Sequence, residues 1–255
     1  MSSKNNVSIS NSVEAAAKAA ADFWVQCATA AIEKQGAFYV AFSGGSTPKF
    51  LHRHLLMDEY REKVDWSRVH VFFGDERMVA CDHADSNYRM VRDTLLDQLA
   101  IPESNIHPLV DDALLISAEL ADATRLLADN YARLLENILP RNAHGQIRFD
   151  LIMLGMGADG HTASLFPGTT ILAESERTVA EVYVEKLKAW RVSLTFPVIE
   201  QARARLLLVC GKDKAPVLGE IFRGDNGDYP VARFRSLPDS HWFLDDAAAS
   251  QLDRA

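Results

Sequence analysis

The chain has 255 residues, of which 48% are hydrophobic and 24% are charged, and this composition is typical of a globular protein with a well-buried α/β core. Its 27 Lys and Arg residues stand against 35 Asp and Glu residues, so the formal net charge of −8 disfavours binding to nucleic acid or to an anionic membrane. Because the polar start lacks a secretory signal and no apolar run approaches the ~20 residues of a membrane span, we expect a single cytoplasmic domain, residues 1–255.

Apolar β-type runs alternate with helical patterns along almost the whole chain, a pattern typical of a mostly parallel sheet covered by helices. The first predicted helix spans about 12–34, with Ser12 as its N-cap and Gly36 just past its end. The predicted strands are 37–43, 68–74, 149–155 and 204–211, with 178–184 and 192–196 as additional strands. The other predicted helices are 48–59, 86–100, 112–139 and 214–222, and residues 241–252 predict a strand followed by a helix.

Four of the predicted strands are followed by unusual segments. These segments read "SGGSTP" (43–48), "GDER" (74–77), "GMGADGH" (155–161) and "GKDKA" (211–215). The carboxyl ends of parallel strands lie along one edge of a sheet, where ligands of such folds bind. The four segments are therefore predicted to share one pocket.

The segment 43–48 has two interpretations. Gly44 and Gly45 allow a tight turn with consecutive backbone N–H groups, Ser46 and Thr47 offer hydroxyls, and Pro48 suits the first turn of a helix. These are the ingredients of a phosphate site at a helix N-terminus. The alternative is a plain glycine turn capped by Ser46. The spacing of a Walker loop is missing.

The segment 74–77 is also ambiguous. Two acids and a base directly after a buried strand ordinarily form a solvated turn with a local ion pair. Beside a phosphate site, however, Arg77 could hold the anion or a developing negative oxygen through its forked donors, and Asp75 could orient Arg77 or bind sugar hydroxyls.

The glycines Gly155, Gly157 and Gly160 match the G-x-G-x-x-G spacing of dinucleotide sites. That fingerprint also needs a full helix after the glycines, and here Pro167 and Gly168 end any helix within about two turns. We therefore discount a nicotinamide cofactor. What remains is a tight loop that presents Asp159 and His161 together.

His161 is the candidate base, because a neutral imidazole accepts a proton near neutral pH. The candidate cations are Lys214, Lys212 and Arg191, although each of these is equally compatible with an ordinary surface position. The three cysteines are far apart and form no C-x-x-C pattern, so neither a disulfide framework nor a metal site is expected.

Taken in order, these motifs resemble those of the 6-phosphogluconolactonase family, from about residue 37 to the end of the chain. The segments that carry the resemblance are "FSGGSTP", "FFGDERMVACDHADSNYRM", "DLIMLGMGADGHTASLFPG", "WRVSLT" and "GKDKA". The resemblance implies hydrolysis of 6-phospho-D-glucono-1,5-lactone to 6-phosphogluconate without a metal or nucleotide cofactor. It also implies a Rossmann-like three-layer α/β sandwich with a mostly parallel sheet, of the glucosamine-6-phosphate deaminase and ribose-5-phosphate isomerase type.

The resemblance also implies roles for single residues. The catalytic histidine corresponds to His161 and its associated acid to Asp159, and the phosphate loop corresponds to 44–47. The basic positions correspond to Arg77, Arg191 and Lys214. A lactone is an activated ester, so a general base acting on water suffices. Which cation binds the phosphate and which stabilises the oxyanion stays open.

Three other functions are alternatives to this hypothesis. A sugar-phosphate deaminase or isomerase shares the scaffold but carries "N-E-P" at 165–167, where this chain has Leu165, Phe166 and Pro167. A non-catalytic sugar-phosphate sensor would be expected to carry an appended DNA-binding module, which 1–35 does not resemble. An NAD-dependent oxidoreductase rests on the discounted glycine spacing. The expected partner is a small sugar-phosphate lactone, bound by a monomer or a small homo-oligomer.

Overall fold

The computed structural model describes residues 6–224 and 227–252, and a six-stranded parallel sheet lies at its centre. The strands in the described residues are β1 (Asn6–Ser10), β2 (Phe38–Phe42), β3 (Val69–Phe73), β4 (Asp75–Arg77), β5 (Leu151–Leu154), β6 (Val179–Val184), β7 (Ala189–Leu194), β8 (Ala204–Val209) and β9 (Ser240–Asp245). The central sheet has the order β1-β9-β8-β5-β2-β3, with every neighbouring pair parallel. The other three strands form an antiparallel sheet in the order β4-β7-β6. The predicted α/β class with a mostly parallel sheet is confirmed.

Helices of very different length connect the strands. They are α1 (Val13–Gln35), α2 (Pro48–Leu55), α3 (Asp58–Arg61), α4 (Asn87–Thr94), α5 (Asp112–Leu115), α6 (Leu120–Ile138), α7 (Phe196–Gln201) and α8 (Ala215–Arg223). The first helix has the predicted ends, because the Ser12 hydroxyl accepts the N–H of Ala15 and Gly36 closes the last turn at φ +81°. Its small alanine face lies against the sheet and against α2. Among residues 6–224 and 227–252, no helix is both long and apolar enough to cross a membrane.

Several predicted elements are shorter or absent. The helix predicted over 86–100 ends at Thr94 and is followed by a single 3-10 turn, and the one predicted over 112–139 is interrupted at 116–119. The chain after β9 forms a 3-10 turn instead of an α-helix. The strand β1 was not predicted, because its sequence is polar and it exists only as an edge strand paired to β9.

Aromatic side chains fill the space between α1 and the central sheet. The indole of Trp24 is fully buried, meets Phe38 edge to face at 5.1 Å between ring centroids and stacks on Trp66 at 5.5 Å. Such pairs add to the stabilisation from burial itself. The hydrophobic core is continuous from this region to the antiparallel sheet, which fixes the two sheets against each other.

A buried histidine links α2 to α4. His52 is fully buried, and its Nδ1 lies 2.8 Å from the hydroxyl oxygen of Thr94. That hydroxyl donates its own proton to the carbonyl of Met90 at 2.7 Å, so Nδ1 carries the proton and donates to Thr94. Burial lowers the pKa of His52 to about 3, with a smaller contribution from Lys49.

The neutral state of His52 predicts a loss of stability in acid. Below the unfolded pKa of ~6.5 the unfolded chain binds one more proton than the folded chain, so the free energy of unfolding falls by up to about 1.4 kcal/mol per pH unit from this residue. In His52→Asn the amide keeps a donor near Thr94 but does not titrate. Urea unfolding between pH 7 and pH 5 is expected to give a shallower pH slope for the variant, and equal slopes would contradict the assignment.

Candidate active site

A cleft of about 390 Å³ opens at the carboxyl edge of the central sheet. Its lining comes from the chain that follows β2, β3, β5 and β8, so the prediction that the four segments share one pocket is confirmed. The residues of those segments that line it are Ser43, Gly44, Gly45, Ser46, Thr47, Pro48, Asp75, Arg77, Gly155, Met156, Gly157, His161, Asp213 and Lys214. Its size is that of a small-molecule site.

The turn between β2 and α2 has the conformation expected of an anion site. Gly45 adopts φ +103°, which a side chain would disfavour, and α2 begins at Pro48. The N-cap residue is Thr47 and not Ser46, and its side chain makes no capping hydrogen bond. The alternative of a turn capped by Ser46 is therefore wrong. Both hydroxyls lie at the cleft, where the N-terminus of α2 favours negative charge.

The side chain of Asn87 explains why position 44 of this turn is a glycine. A Cβ on Gly44 would lie 1.8 Å from the Oδ1 of Asn87, and Asn87 also lines the cleft. Its amide nitrogen donates to the carbonyl of Asp75 at 2.9 Å. Asn87 was not predicted as a site residue, since nothing in the local sequence distinguishes it from any residue in the first turn of a helix.

The acidic segment is buried, so its interpretation as a solvated turn is wrong. The carboxylate of Asp75 is 8% exposed and accepts the Ser164 hydroxyl at 2.6 Å. Glu76 is 1% exposed and accepts the N–H groups of Asn87 and Tyr88 at 2.9 and 2.8 Å, which fixes the start of α4 to β4. Burial raises the pKa of Glu76, and these N–H donors oppose that rise.

Two arginines lie side by side on neighbouring strands. Arg77 of β4 pairs in register with Arg191 of β7. Arg77 lines the cleft and donates to the carbonyl of Asp85 at 2.7 Å. Arg191 is half-buried and is not among the residues that line the cleft. Burial lowers the pKa of Arg191, and the positive charge of Arg77 lowers it further. The structure thus concentrates positive charge at this end of the cleft.

The loop after β5 carries the predicted histidine and its acid. The chain from 155 to 169 forms no helix, which agrees with discounting a dinucleotide site. The Nδ1 of His161 lies 2.5 Å from the Oδ1 of Asp159, and the same oxygen accepts the backbone N–H of His161 at 3.3 Å. Because Nδ1 donates to the carboxylate, Nε2 is the ring nitrogen left to accept a proton.

The surroundings of His161 keep its imidazole neutral. Its ring stacks on Phe166 with 4.0 Å between centroids and 22° between planes. Burial lowers the pKa of His161; Asp75 opposes the shift, whereas Lys214, Arg191 and Arg77 add to it. A partly buried neutral histidine held by a carboxylate is suited to act as a general base.

The two lysines of the last segment have different positions. Lys214 lines the cleft and lies 2.8 Å from the Oδ2 of Asp213, whereas Lys212 is exposed. Another lysine was missed in the sequence: Lys186, between β6 and β7, contacts the Oδ2 of Asp159. It lies in "EKLKAW", which separates two strands in sequence and gives no local signal of a contact with the loop after β5.

The serines Ser46 and Ser164 are not arranged as esterase nucleophiles. Ser164 is buried, and its hydroxyl donates to the carboxylate of Asp75 and not to a histidine. Ser46 is exposed on the phosphate-type turn. Among the residues described, no group of three or more His, Cys, Asp or Glu side chains is arranged to hold a metal ion.

The sequence and the structure are similar to those of known proteins. The sequence matches the family model described as glucosamine-6-phosphate isomerases/6-phosphogluconolactonase over residues 11–242. A 6-phosphogluconolactonase of Synechocystis sp. is 40% identical over 226 residues, 88% of each chain. The structure of 6-phosphogluconolactonase from Trypanosoma cruzi is similar with a TM-score of 0.86 at 32% identity, over 100% of this chain and 99% of that one. A monomeric glucosamine-6-phosphate deaminase, 19% identical, shares the fold with a TM-score of 0.76 over 96% of this chain and 99% of its own.

The packing of the loop predicts that Gly157 is required for the position of His161. A Cβ on Gly157 would lie 2.1 Å from the Nδ1 of His161 and 2.6 Å from the Oδ1 of Asp159, so Gly157→Ala must separate the pair. The matched control is Gly155→Ala, where nothing lies within 4 Å of the added atom. Proton NMR is expected to show a hydrogen-bonded Nδ1–H signal from His161 in the wild type and the control, and to lose it in Gly157→Ala. Persistence of that signal in Gly157→Ala would contradict the packing argument.

Proposed function

The chain belongs to the glucosamine-6-phosphate isomerase/6-phosphogluconolactonase family, and within it we propose that the protein hydrolyses 6-phospho-D-glucono-1,5-lactone to 6-phospho-D-gluconate, in the oxidative pentose phosphate pathway. The observation that carries this proposal is the His161–Asp159 pair in the same cleft as the turn 43–48. The His161–Asp159 pair supplies a base, and the turn 43–48 supplies hydrogen-bond donors for a phosphate.

The reaction begins with activation of water. The Nε2 of His161 takes a proton as the water oxygen forms a bond to C1 of the lactone, while Asp159 holds the Nδ1 proton and stabilises the imidazolium that forms. The tetrahedral intermediate then expels the ring oxygen of the lactone, which receives that proton from His161. The imidazole is neutral again at the end of the cycle, and the new carboxylic acid ionises in water.

Positive charge near the acyl carbon stabilises the intermediate. Arg77 lines the cleft and presents a guanidinium beside that of Arg191, and we assign the oxyanion to Arg77 or to backbone N–H groups of the cleft. A preorganised donor of this kind commonly contributes about 3 kcal/mol to the transition state.

The phosphate is held at the turn between β2 and α2. Residues 44–47 supply backbone N–H groups and two hydroxyls, and Lys214 or Arg191 supplies the charge. Anchoring the phosphate fixes the lactone ring for attack, which converts binding energy into orientation. Asp75, buried at the same cleft, is positioned to accept hydrogen bonds from sugar hydroxyls.

The same scaffold also supports deaminases, and the segment 165–167 argues against that activity here. Leu165 and Phe166 are apolar and buried, so this segment brings no carboxylate to assist ring opening. The proposed substrate is therefore a lactone and not an amino sugar phosphate.

The remaining parts of the proposal concern the protein as a whole. Residues 1–255 are proposed to act as one cytoplasmic domain, as a monomer or a small homo-oligomer. The net charge of −8 disfavours nucleic-acid partners. The steps above use side chains and backbone N–H groups of the protein together with water.

The first test compares the turnover of two substrates and the activity of two histidine variants. After subtraction of spontaneous hydrolysis, the wild type is expected to consume the lactone far faster than it deaminates glucosamine 6-phosphate. His161→Ala is expected to lower kcat by about 100-fold or more, the contribution typical of a general base, whereas His144→Ala, an exposed histidine on another turn, is the unaffected control. Because burial lowers the pKa of His161, the acid limb of kcat/KM is expected below pH ~6.5. Comparable turnover of glucosamine 6-phosphate, or full activity in His161→Ala, would overturn the proposal.

The second test separates the cation of the phosphate from that of the oxyanion. A phosphate contact stabilises ground state and transition state alike and appears in KM, whereas an oxyanion contact appears in kcat. Lys214→Met is expected to raise KM by about 10-fold or more with kcat within about threefold, since hydrogen bonds to charged groups contribute ~1.5–3 kcal/mol. Arg77→Met is expected to lower kcat instead. Initial-rate kinetics on both variants decide, and the reverse pattern would exchange the two roles.

A further inference from the structure

We propose that Lys186 is a positioning residue for the general base: its ammonium holds Asp159 in the orientation that accepts the Nδ1 proton of His161 and compensates the charge of that carboxylate. This inference rests on the proposed function of the same site. It adds a third member, from a different sheet, to the pair found in the loop after β5.

The contacts of Asp159 show that both of its oxygens are engaged. Oδ1 accepts the ring and backbone N–H groups of His161, and Oδ2 accepts the ammonium of Lys186. A carboxylate with one free oxygen could rotate about χ2 and leave the imidazole. With Lys186 on the second oxygen, that rotation breaks an ion pair, so the carboxylate and the Nδ1–H tautomer of His161 are held together.

Lys186 also contacts Phe166, the aromatic residue that stacks on the imidazole of His161. Its Nζ lies 4.6 Å from the ring centroid of Phe166, and that ring stacks on His161. Lys186 therefore touches both groups that flank the imidazole. The contact of the ammonium with the ring of Phe166 favours this position of the Lys186 side chain.

The connection that carries Lys186 is anchored to the cleft by its own strands. It joins β6 to β7, and β7 pairs with β4, the strand of Arg77. The side chain of Lys186 is 51% exposed and that of Asp159 is 33% exposed. An ion pair this exposed contributes little to the stability of the fold, so a stabilising role alone does not account for its position.

The charge of Lys186 also favours a neutral imidazole. An uncompensated Asp159 carboxylate would stabilise the imidazolium and reduce the fraction of His161 able to take a proton. The charged groups that face His161 from the elements around it are Asp159 and Lys186 on one side, Asp75 and Arg77 from β4, Arg191 from β7, and Lys214 before α8. Of these, only Lys186 acts on His161 through Asp159.

The experiment follows the titration of His161 directly and through the rate. In Lys186→Met the imidazole signals of His161, measured by NMR, are expected to titrate about half a pH unit or more higher than in the wild type. The acid limb of the kcat/KM profile is expected to move to higher pH by the same amount. At pH values below the pKa of His161, kcat/KM of Lys186→Met is therefore expected to be about threefold lower than that of the wild type. The melting temperature is expected to stay unchanged. Lys186→Arg is expected to restore the wild-type titration, and Lys188→Met, an exposed lysine on the same connection, is the matched control.

A double variant tests whether Lys186 acts through Asp159. In the Asp159→Asn background, adding Lys186→Met is expected to cause no further shift. An unshifted titration in Lys186→Met overturns the inference, and so does a rise in KM that persists in the Asp159→Asn background, since that places the ammonium on the substrate. The NMR titration needs no turnover, so a wild type that leaves the lactone unhydrolysed removes the proposed function without obscuring whether Lys186 tunes His161.

Discussion

The parallel alignment of the six central strands is the constraint on which the rest of the molecule depends. Every parallel strand returns the chain to the same edge, so the segments that follow β2, β3, β5 and β8 open at one cleft. Each segment alone is short and carries only part of the cleft. Together they bring the glycine turn 43–48, two buried acids, a histidine with its carboxylate and several cations within the span of four neighbouring strands, and no linker or domain movement is needed to assemble them.

The small antiparallel sheet places charge where the central sheet cannot. Pairing of β4 with β7 sets Arg77 opposite Arg191, and like charges at such positions repel. Burial lowers the pKa of Arg191, Arg77 lowers it further, and Asp75, Glu76 and Asp85 oppose the shift. The three acids therefore counter the repulsion between the two guanidinium groups.

The parts of this arrangement that depend on local chemistry were predictable from the sequence. The strands β2 and β5 are continuous apolar runs and β8 is apolar from Leu206 onward, as expected for strands buried on both faces, and the ends of α1 follow from Ser12 and Gly36. Their convergence followed from the topology of parallel sheets. Edge strand β1, the burial of Glu76 and the contacts of Asn87 and Lys186 were not predictable, because each depends on a partner far away in the sequence.

The residue that lies against the imidazole influences the protonation state of His161. Phe166 stacks on His161 and withholds water from one face of the ring, which favours the neutral form that a reaction with water requires. A carboxylate at this position, as in the "N-E-P" pattern expected of a deaminase, would instead stabilise the imidazolium and add a second acid–base group. Residue 166 therefore bears directly on the protonation state of His161.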